Sequence, residues 1–278
     1  MSLKIKYEEL RQSNLKTTFE VFERSFNKIG IDFYVIGALA RDTWFSTYDI
    51  EIIGTRDVDF AIYISTEEKY EQLINHLITN EGYTNSKENK YVVFSPEGVQ
   101  VDLLPFGKIQ VEGKVMIETE SLSTIAINGY QEVYEAGTID VNFEDDTSFK
   151  VCTIPSIVLL KFISYDDRPE IRTKDIFDIS IILKFYFEIE SNRIYEKHND
   201  LFEYTTELNI LAARVLGREM KPILSRSVHL ENRIKEILKT EINKKSNSKI
   251  AELLVLKTNN TIEYALNILK EIYEGICE

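Results

Sequence analysis

The sequence predicts an α+β protein, with a mixed-sheet α/β domain over residues 1–150 and an all-helical domain over residues 151–278. Two observations carry this expectation. Up to about residue 150, short apolar runs of two-residue period alternate with stretches of helical period. Beyond that point only helical stripes remain, and no repeat, low-complexity tract or Pro/Gly/Ser-rich linker interrupts them.

Residues 5–29 place Leu10, Leu15, Phe19, Val21, Phe22 and Phe26 near helical spacing, which predicts an amphipathic helix. "IDFYVIG" (31–37) is a short apolar strand stopped by a glycine, and "ALARDTWFS" (38–46) is a helix beginning where that strand ends. "RDVDFAIYI" (56–64) alternates as a second strand. "TEEKYEQLINHLITNEG" (66–82) is a helix with acids in its first turn, favourable to the macrodipole, and a glycine stop. "KYVVFSPEGVQVDLLPF" (90–106) reads as a hairpin turning at Pro96, Glu97 and Gly98. "TIPSIVLLKFISY" (153–165) opens the helical half with a proline suited to a first turn. The stretches "NDLFEYTTELNILAARVLG", "VHLENRIKEILKTEIN" and "NTIEYALNILKEIYEGI" each carry an apolar stripe and a charged face.

Composition sets bounds. With 33 Lys+Arg against 46 Asp+Glu, the net charge of −13 excludes binding nucleic acid by bulk electrostatics; any such contact needs a local basic patch. Cys152 and Cys277 belong to no CxxC or disulfide-dense pattern, and the polar N-terminus "MSLKIKYEELRQSN" has no signal-peptide core. No apolar run reaches membrane-spanning length. The expectation is a soluble, cytoplasmic protein with no membrane partner.

Two carboxylates stand out. Asp57 and Asp59 lie at i and i+2 of a strand, so they share a face, although Asp is a poor strand former and like charges repel. Asp102 stands on the later strand "VQVDLLPFG", opposite in parity to Val99, Val101 and Leu103. If the strands are neighbours, three carboxylates converge and one tends to protonate. A hard divalent cation removes that conflict, because Mg²⁺ takes oxygen ligands and shares them with substrate phosphates. The plain alternative is that Asp57 pairs with Arg56 or caps a turn. At Gly37 a strand gives way to a helix through small residues, leaving N–H groups where a phosphate can approach; an ordinary packed turn explains the same residues. There is neither GxxxxGK[ST] nor GxGxxG.

Glycine turn, helix, DxD strand, helix and a hairpin strand with a third Asp, in this order, resemble the DNA polymerase beta-type nucleotidyltransferase superfamily. The stretches "YVIGALARD", "TRDVDFAI", "VDLLPFG" and "LLKFISYDDRPEIRTKDIFDI", within about residues 34–179, look most like its AbiEii-type branch, the toxins of abortive-infection and type IV toxin–antitoxin systems. The resemblance implies that Asp57 and Asp59 are metal ligands and Asp102 the third acid, with one or two Mg²⁺ ions. It also implies that Gly37 meets the triphosphate. Here Gly37-Ala38 replaces the usual Gly-Ser or Gly-Gly, leaving that contact to backbone N–H groups. Arg41 and Arg56 flank the site and either touch phosphate or pair with Asp42 and Asp57.

In the helical half, Lys161 sits among Leu159, Leu160, Phe162 and Ile163, where an ammonium needs an anionic partner. Lys174, Asp175 and Asp178 follow on the next helix at spacings that share a face. By resemblance, Lys161 or Lys174 neutralises the triphosphate, with Asp175 and Asp178 positioning them; the alternative is a salt-bridge network without chemistry. His76, His198 and His229 lack metal-ligand spacing, so zinc is not expected. "NKKSNSK" (243–249), the clearest basic run, reads as a solvated turn between helices, with an RNA contact as the alternative.

The expected function is Mg²⁺-dependent transfer of a nucleoside monophosphate from an NTP to an acceptor hydroxyl, with release of pyrophosphate. The acceptor is tRNA or another RNA in the toxin-like branch, where an antitoxin partner is also implied. It is a small hydroxylated molecule in an aminoglycoside-type branch. A non-catalytic nucleotide-binding module of the same fold is the remaining alternative, and the intact acids weigh against it.

Overall fold

A computed structural model describes residues 2–5, 15–52, 54–55, 57–109, 114–117, 123–143 and 148–278. The chain divides into two compact units, Met1–Thr153 and Ile154–Glu278.

The first unit runs β1 (Ser2–Ile5), α1 (Leu15–Ile29), β2 (Asp32–Ile36), α2 (Gly37–Thr47), β3 (Asp57–Tyr63), α3 (Glu67–Glu81), β4 (Thr84–Asn85), β5 (Val92–Phe94) and β6 (Gln100–Phe106). It continues with β7 (Lys114–Ile117), β8 (Ser123–Ala126), α4 (Tyr130–Ala136), β9 (Ile139–Phe143) and β10 (Ser148–Val151). Among the described residues, eight strands form one mixed sheet in the order β1-β9-β10-β2-β3-β6-β5-β4, and β7 with β8 makes a separate ribbon. The sheet is α+β in character, with β3 parallel to β6 and antiparallel to β2.

The helix expected over 5–29 is corrected at its start. Ile5 ends β1, which pairs in parallel with β9 from Ser2↔Asp140 to Ile5↔Phe143, and the described helix begins at Leu15. The reason lies in period: Leu3 is buried and Lys4 exposed, an alternation a strand satisfies, whereas the helical stripe runs from Leu15 through Phe26. Residues 6–14 of that expected helix lie outside the described ones. The expected hairpin is present as β5 and β6, closed by Ser95, whose Oγ accepts from the N–H groups of Glu97 and Val99 at 3.2 Å. α3 matches its signals, with the Thr66 hydroxyl accepting from the Lys69 N–H at 3.4 Å.

Strand parity divides the sheet. On one face, α1 lays Phe19, Phe22 and Phe26 against Phe60, with ring centroids 5.0–6.0 Å apart. Each buried ring is worth roughly 1.5–3 kcal/mol, so this face anchors the unit. The opposite face carries Tyr34, Tyr63 and Phe106. Tyr134 of α4 covers them, its ring 5.7 Å from Tyr63 and 5.5 Å from Phe106. Tyr134 also donates to Asp32 Oδ2 at 2.6 Å, and Lys150 reaches Asp32 Oδ1 at 2.9 Å. That cover sits at the Tyr63 and Phe106 ends of β3 and β6. Asp57, Asp59 and Asp102 stand on the same face toward the other ends.

The second unit is helical: α5 (Ile154–Asp167), α6 (Thr173–Ile189), α7 (Ser191–Lys197), α8 (Leu201–Tyr204), α9 (Leu208–Leu224), α10 (Val228–Asn243), α11 (Lys249–Val255) and α12 (Ile262–Cys277). Pro155 stands in the first turn of α5, where no N–H is missed. α9 and α12 cross at Gly217 and Gly275. A Cβ on Gly217 would lie 2.2 Å from the Ile272 carbonyl oxygen, so the backbones meet only because both residues are glycine. The basic turn after α10 is organised by buried Glu241, whose Oε2 accepts from Ser248 Oγ at 2.8 Å and the Ile250 N–H at 3.0 Å.

Candidate active site

In the parallel register of β3 and β6, Asp57 is partnered with Gln100 and Asp59 with Asp102. Partnered residues on adjacent strands share a face about 4.8 Å apart, and residues two apart along a strand share it too. The four side chains therefore form a two-by-two block in which three corners are carboxylates. Asp57 is exposed, and Asp59, Gln100 and Asp102 are half-buried. Gln100 Nε2 donates to Asp102 Oδ1 at 2.9 Å.

β2 lies on the other side of β3, with Ile36 opposite Asp59. The chain leaves β2 directly into α2, and Gly37, the first residue of that helix, has φ +71°. A Cβ there would stand 2.2 Å from Asp59 Oδ2. Gly37 thus has two reasons to be glycine: its left-handed backbone, and the carboxylate packed over its Cα. The cap residue Ile36 has no side-chain acceptor of its own, and Ala38 in the first turn of α2 is half-buried.

Arg41 was expected at phosphate or at Asp42. The structure realises the second: Arg41 and Asp42 are 2% and 1% exposed, and Arg41 Nε donates to Asp42 Oδ1 at 2.8 Å. A guanidinium so enclosed is a packing element of α2. Arg56 lies outside the described residues.

In the helical unit, Lys161 is 6% exposed and its Nζ donates to Asp175 Oδ1 at 2.9 Å and Asp178 Oδ2 at 2.5 Å. Burial lowers the Lys161 pKa, but the charges of Asp178 and Asp175 and their hydrogen bonds outweigh it. The ammonium ends above the ordinary lysine value. Asp175 Oδ2 is buried without a hydrogen-bond partner among the described residues. Lys174 is exposed on the same helix.

The donor set on β3 and β6 suits a hard divalent ion: oxygen only, on one face, open at Asp57. Among the described residues, no three His, Cys, Asp or Glu side chains are grouped so as to hold a metal. The register brings the acids together, while the side chains as they stand do not converge. Gln100 was not singled out in the sequence, although its parity with Asp102 placed it on the same face.

The class of protein is nucleotidyltransferase: residues 54–255 match the family described as nucleotidyl transferase AbiEii toxin, Type IV TA system. The chain belongs to that family. The match includes Asp57, Asp59, Asp102, Lys161, Lys174, Asp175 and Asp178, and begins after Gly37. The chain is also similar to a CCA-adding enzyme of Halorubrum lacusprofundi, 26% identical over 124 residues, covering 42% of this chain and 24% of that protein. It thus spans about a quarter of that relative's length. Among solved structures, it resembles an antigenic nucleotidyltransferase-like protein from Paracoccidioides brasiliensis at 15% identity and TM-score 0.36, covering 72% of this chain and 93% of that one. It also resembles the antibiotic-resistance factor ANT(2'')-Ia at 13% identity and TM-score 0.35, covering 80% and 98% of the two chains.

Proposed function

We propose that this protein transfers a nucleoside monophosphate from an NTP to an acceptor hydroxyl. The observation that carries the reading is the Asp59–Asp102 register, with Asp57 beside it and Gly37 packed against Asp59. Asp57, Asp59 and Asp102 are the residues that would hold Mg²⁺, one ion or two. Bound Mg²⁺ supplies Lewis-acid stabilisation of the α-phosphoryl charge and of the departing pyrophosphate. The N–H groups of Gly37 and Ala38 in the first turn of α2 receive phosphate oxygens. Asp102 orients the acceptor hydroxyl and takes its proton as the acceptor oxygen bonds to the α-phosphorus. The bridging α–β P–O bond breaks and pyrophosphate leaves. Arg56, next to Asp57 in the sequence, adds a cation for the triphosphate.

The acceptor in this reading is an RNA end, the protein acting as a toxin in the cytoplasm opposite an antitoxin. Family membership supports this assignment, and a relative named for adding CCA supports nucleotides as the transferred group. The net charge of −13 favours a second reading, in which the acceptor is a small, cationic, hydroxylated molecule. Incubation with each α-labelled NTP, Mg²⁺, total RNA and a panel of aminoglycosides separates them. Label on RNA supports the first reading, and label on a small molecule the second. Mg²⁺-dependent NTP binding without transfer overturns both in favour of a binding module.

A further inference from the structure

Three corners of the β3–β6 block have roles in the proposed reaction, and Gln100 has none. Its surroundings are specific. Across the strands it faces Asp57, and along its own strand its amide nitrogen donates to Asp102 Oδ1 at 2.9 Å. On the other flank of β6, β5 sets Phe94 opposite Gln100 and Val92 opposite Asp102, so the neighbours that register brings from that side are apolar. Register thus sets a carboxylate of β3 and a valine of β5 beside Asp102, and the Gln100 amide reaches it along β6.

From this arrangement we infer that Gln100 is a positioning residue for Asp102, a role that rests on the nucleotidyl-transfer reading above. A carboxylate on a strand turns about its χ2 torsion with little restraint. A hydrogen bond from the amide to Oδ1 restrains that rotation and so sets which way the carboxylate faces. Residue type matters at this corner. Glutamine donates without charge, whereas glutamate of the same length accepts only and places a fourth negative charge beside Asp57. Methionine keeps similar length and removes the donor with no added charge. Hydrogen-bond partners behind a metal ligand commonly carry about 10- to 100-fold in metal affinity or activity.

The test uses the full chain with Gln100→Met, Gln100→Glu and Asp102→Asn, and reads Mn²⁺ binding by electron paramagnetic resonance without nucleotide. Thermal unfolding and steady-state transfer accompany it. The expected result is roughly a tenfold loss of Mn²⁺ affinity in Gln100→Met, with Tm near that of the native chain. In transfer assays at saturating NTP, kcat falls while KM for NTP holds, a split that a general loss of packing does not produce. Gln100→Glu loses the donor as well and is expected to lower kcat by releasing Asp102 from its native orientation, even where the added carboxylate attracts Mn²⁺. Native Mn²⁺ affinity and native kcat in both Gln100 variants, with Asp102→Asn impaired, would overturn the inference and leave the nucleotidyl-transfer reading standing. If Asp102→Asn also binds Mn²⁺ as the native chain does, the metal reading fails and the inference with it.

Discussion

Two groups of acids in this molecule are built in opposite ways. On β3 and β6, Asp57, Asp59 and Asp102 stand on one sheet face, exposed or half-buried, and the partner of Asp102 along its strand is an uncharged amide. In the helical unit, Asp175 and Asp178 close on the buried ammonium of Lys161. The second group carries its cation within the fold. The first stands open to water, most of all at Asp57, and so suits a site that Mg²⁺ and an anionic substrate enter together. Acids near one another are thus not alike in meaning; what distinguishes them here is their access to water.

The comparison breaks most visibly at Lys161. Lys161→Ala leaves two carboxylates in a buried site without their ammonium, and unfolding by denaturant should show a loss of about 3–5 kcal/mol. Native stability in Lys161→Ala would contradict the pairing with Asp175 and Asp178.

A smaller effect is expected at Gly37. Gly37→Ala faces a left-handed backbone, costing about 1–2 kcal/mol, and a Cβ 2.2 Å from Asp59 Oδ2 that displaces the carboxylate. Transfer should fall by about tenfold or more while Tm drops by only a few degrees, on the scale of about 4 °C per kcal/mol or less for a chain of this size. Equal transfer in Gly37→Ala would show that the position of Asp59 over α2 does not matter.

The smallest effect is in pH. The Lys161 pKa is raised in the folded state above its ordinary value of 10.5. Its contribution to stability is therefore complete below about pH 10 and is lost as pH rises through the folded value. Native protein should lose stability over that window more steeply than Lys161→Met, measured by urea unfolding between pH 9.5 and 11.5. Parallel slopes would contradict the pairing.

Much of this was legible in the sequence, for reasons of period. Two-residue alternation fixed the faces of Asp57, Asp59 and Asp102, so neighbourhood of the two strands was the remaining condition, and it is met. The apolar run around Lys161 announced its burial, and the spacing of Asp175 and Asp178 announced its partners. β1 was not legible, because four residues carry too little pattern and their partner β9 lies at the far end of the unit. Arg41 misled in part: its place beside the glycine turn suggested phosphate, while its burial with Asp42 depends on packing that no local pattern records. Gln100 has an ordinary place on a strand, and its role emerges only from the register and the hydrogen bond.

The central claim is that the β3–β6 acids perform the transfer. It is tested most directly by measuring label transfer from α-labelled NTP in native protein and in Asp59→Asn, with thermal unfolding of both. Removing one carboxylate relieves like-charge repulsion in the metal-free chain, so Asp59→Asn should unfold at the same temperature or higher. Its transfer should fall by at least about 100-fold. A folded Asp59→Asn that moves label at the native rate would contradict the account.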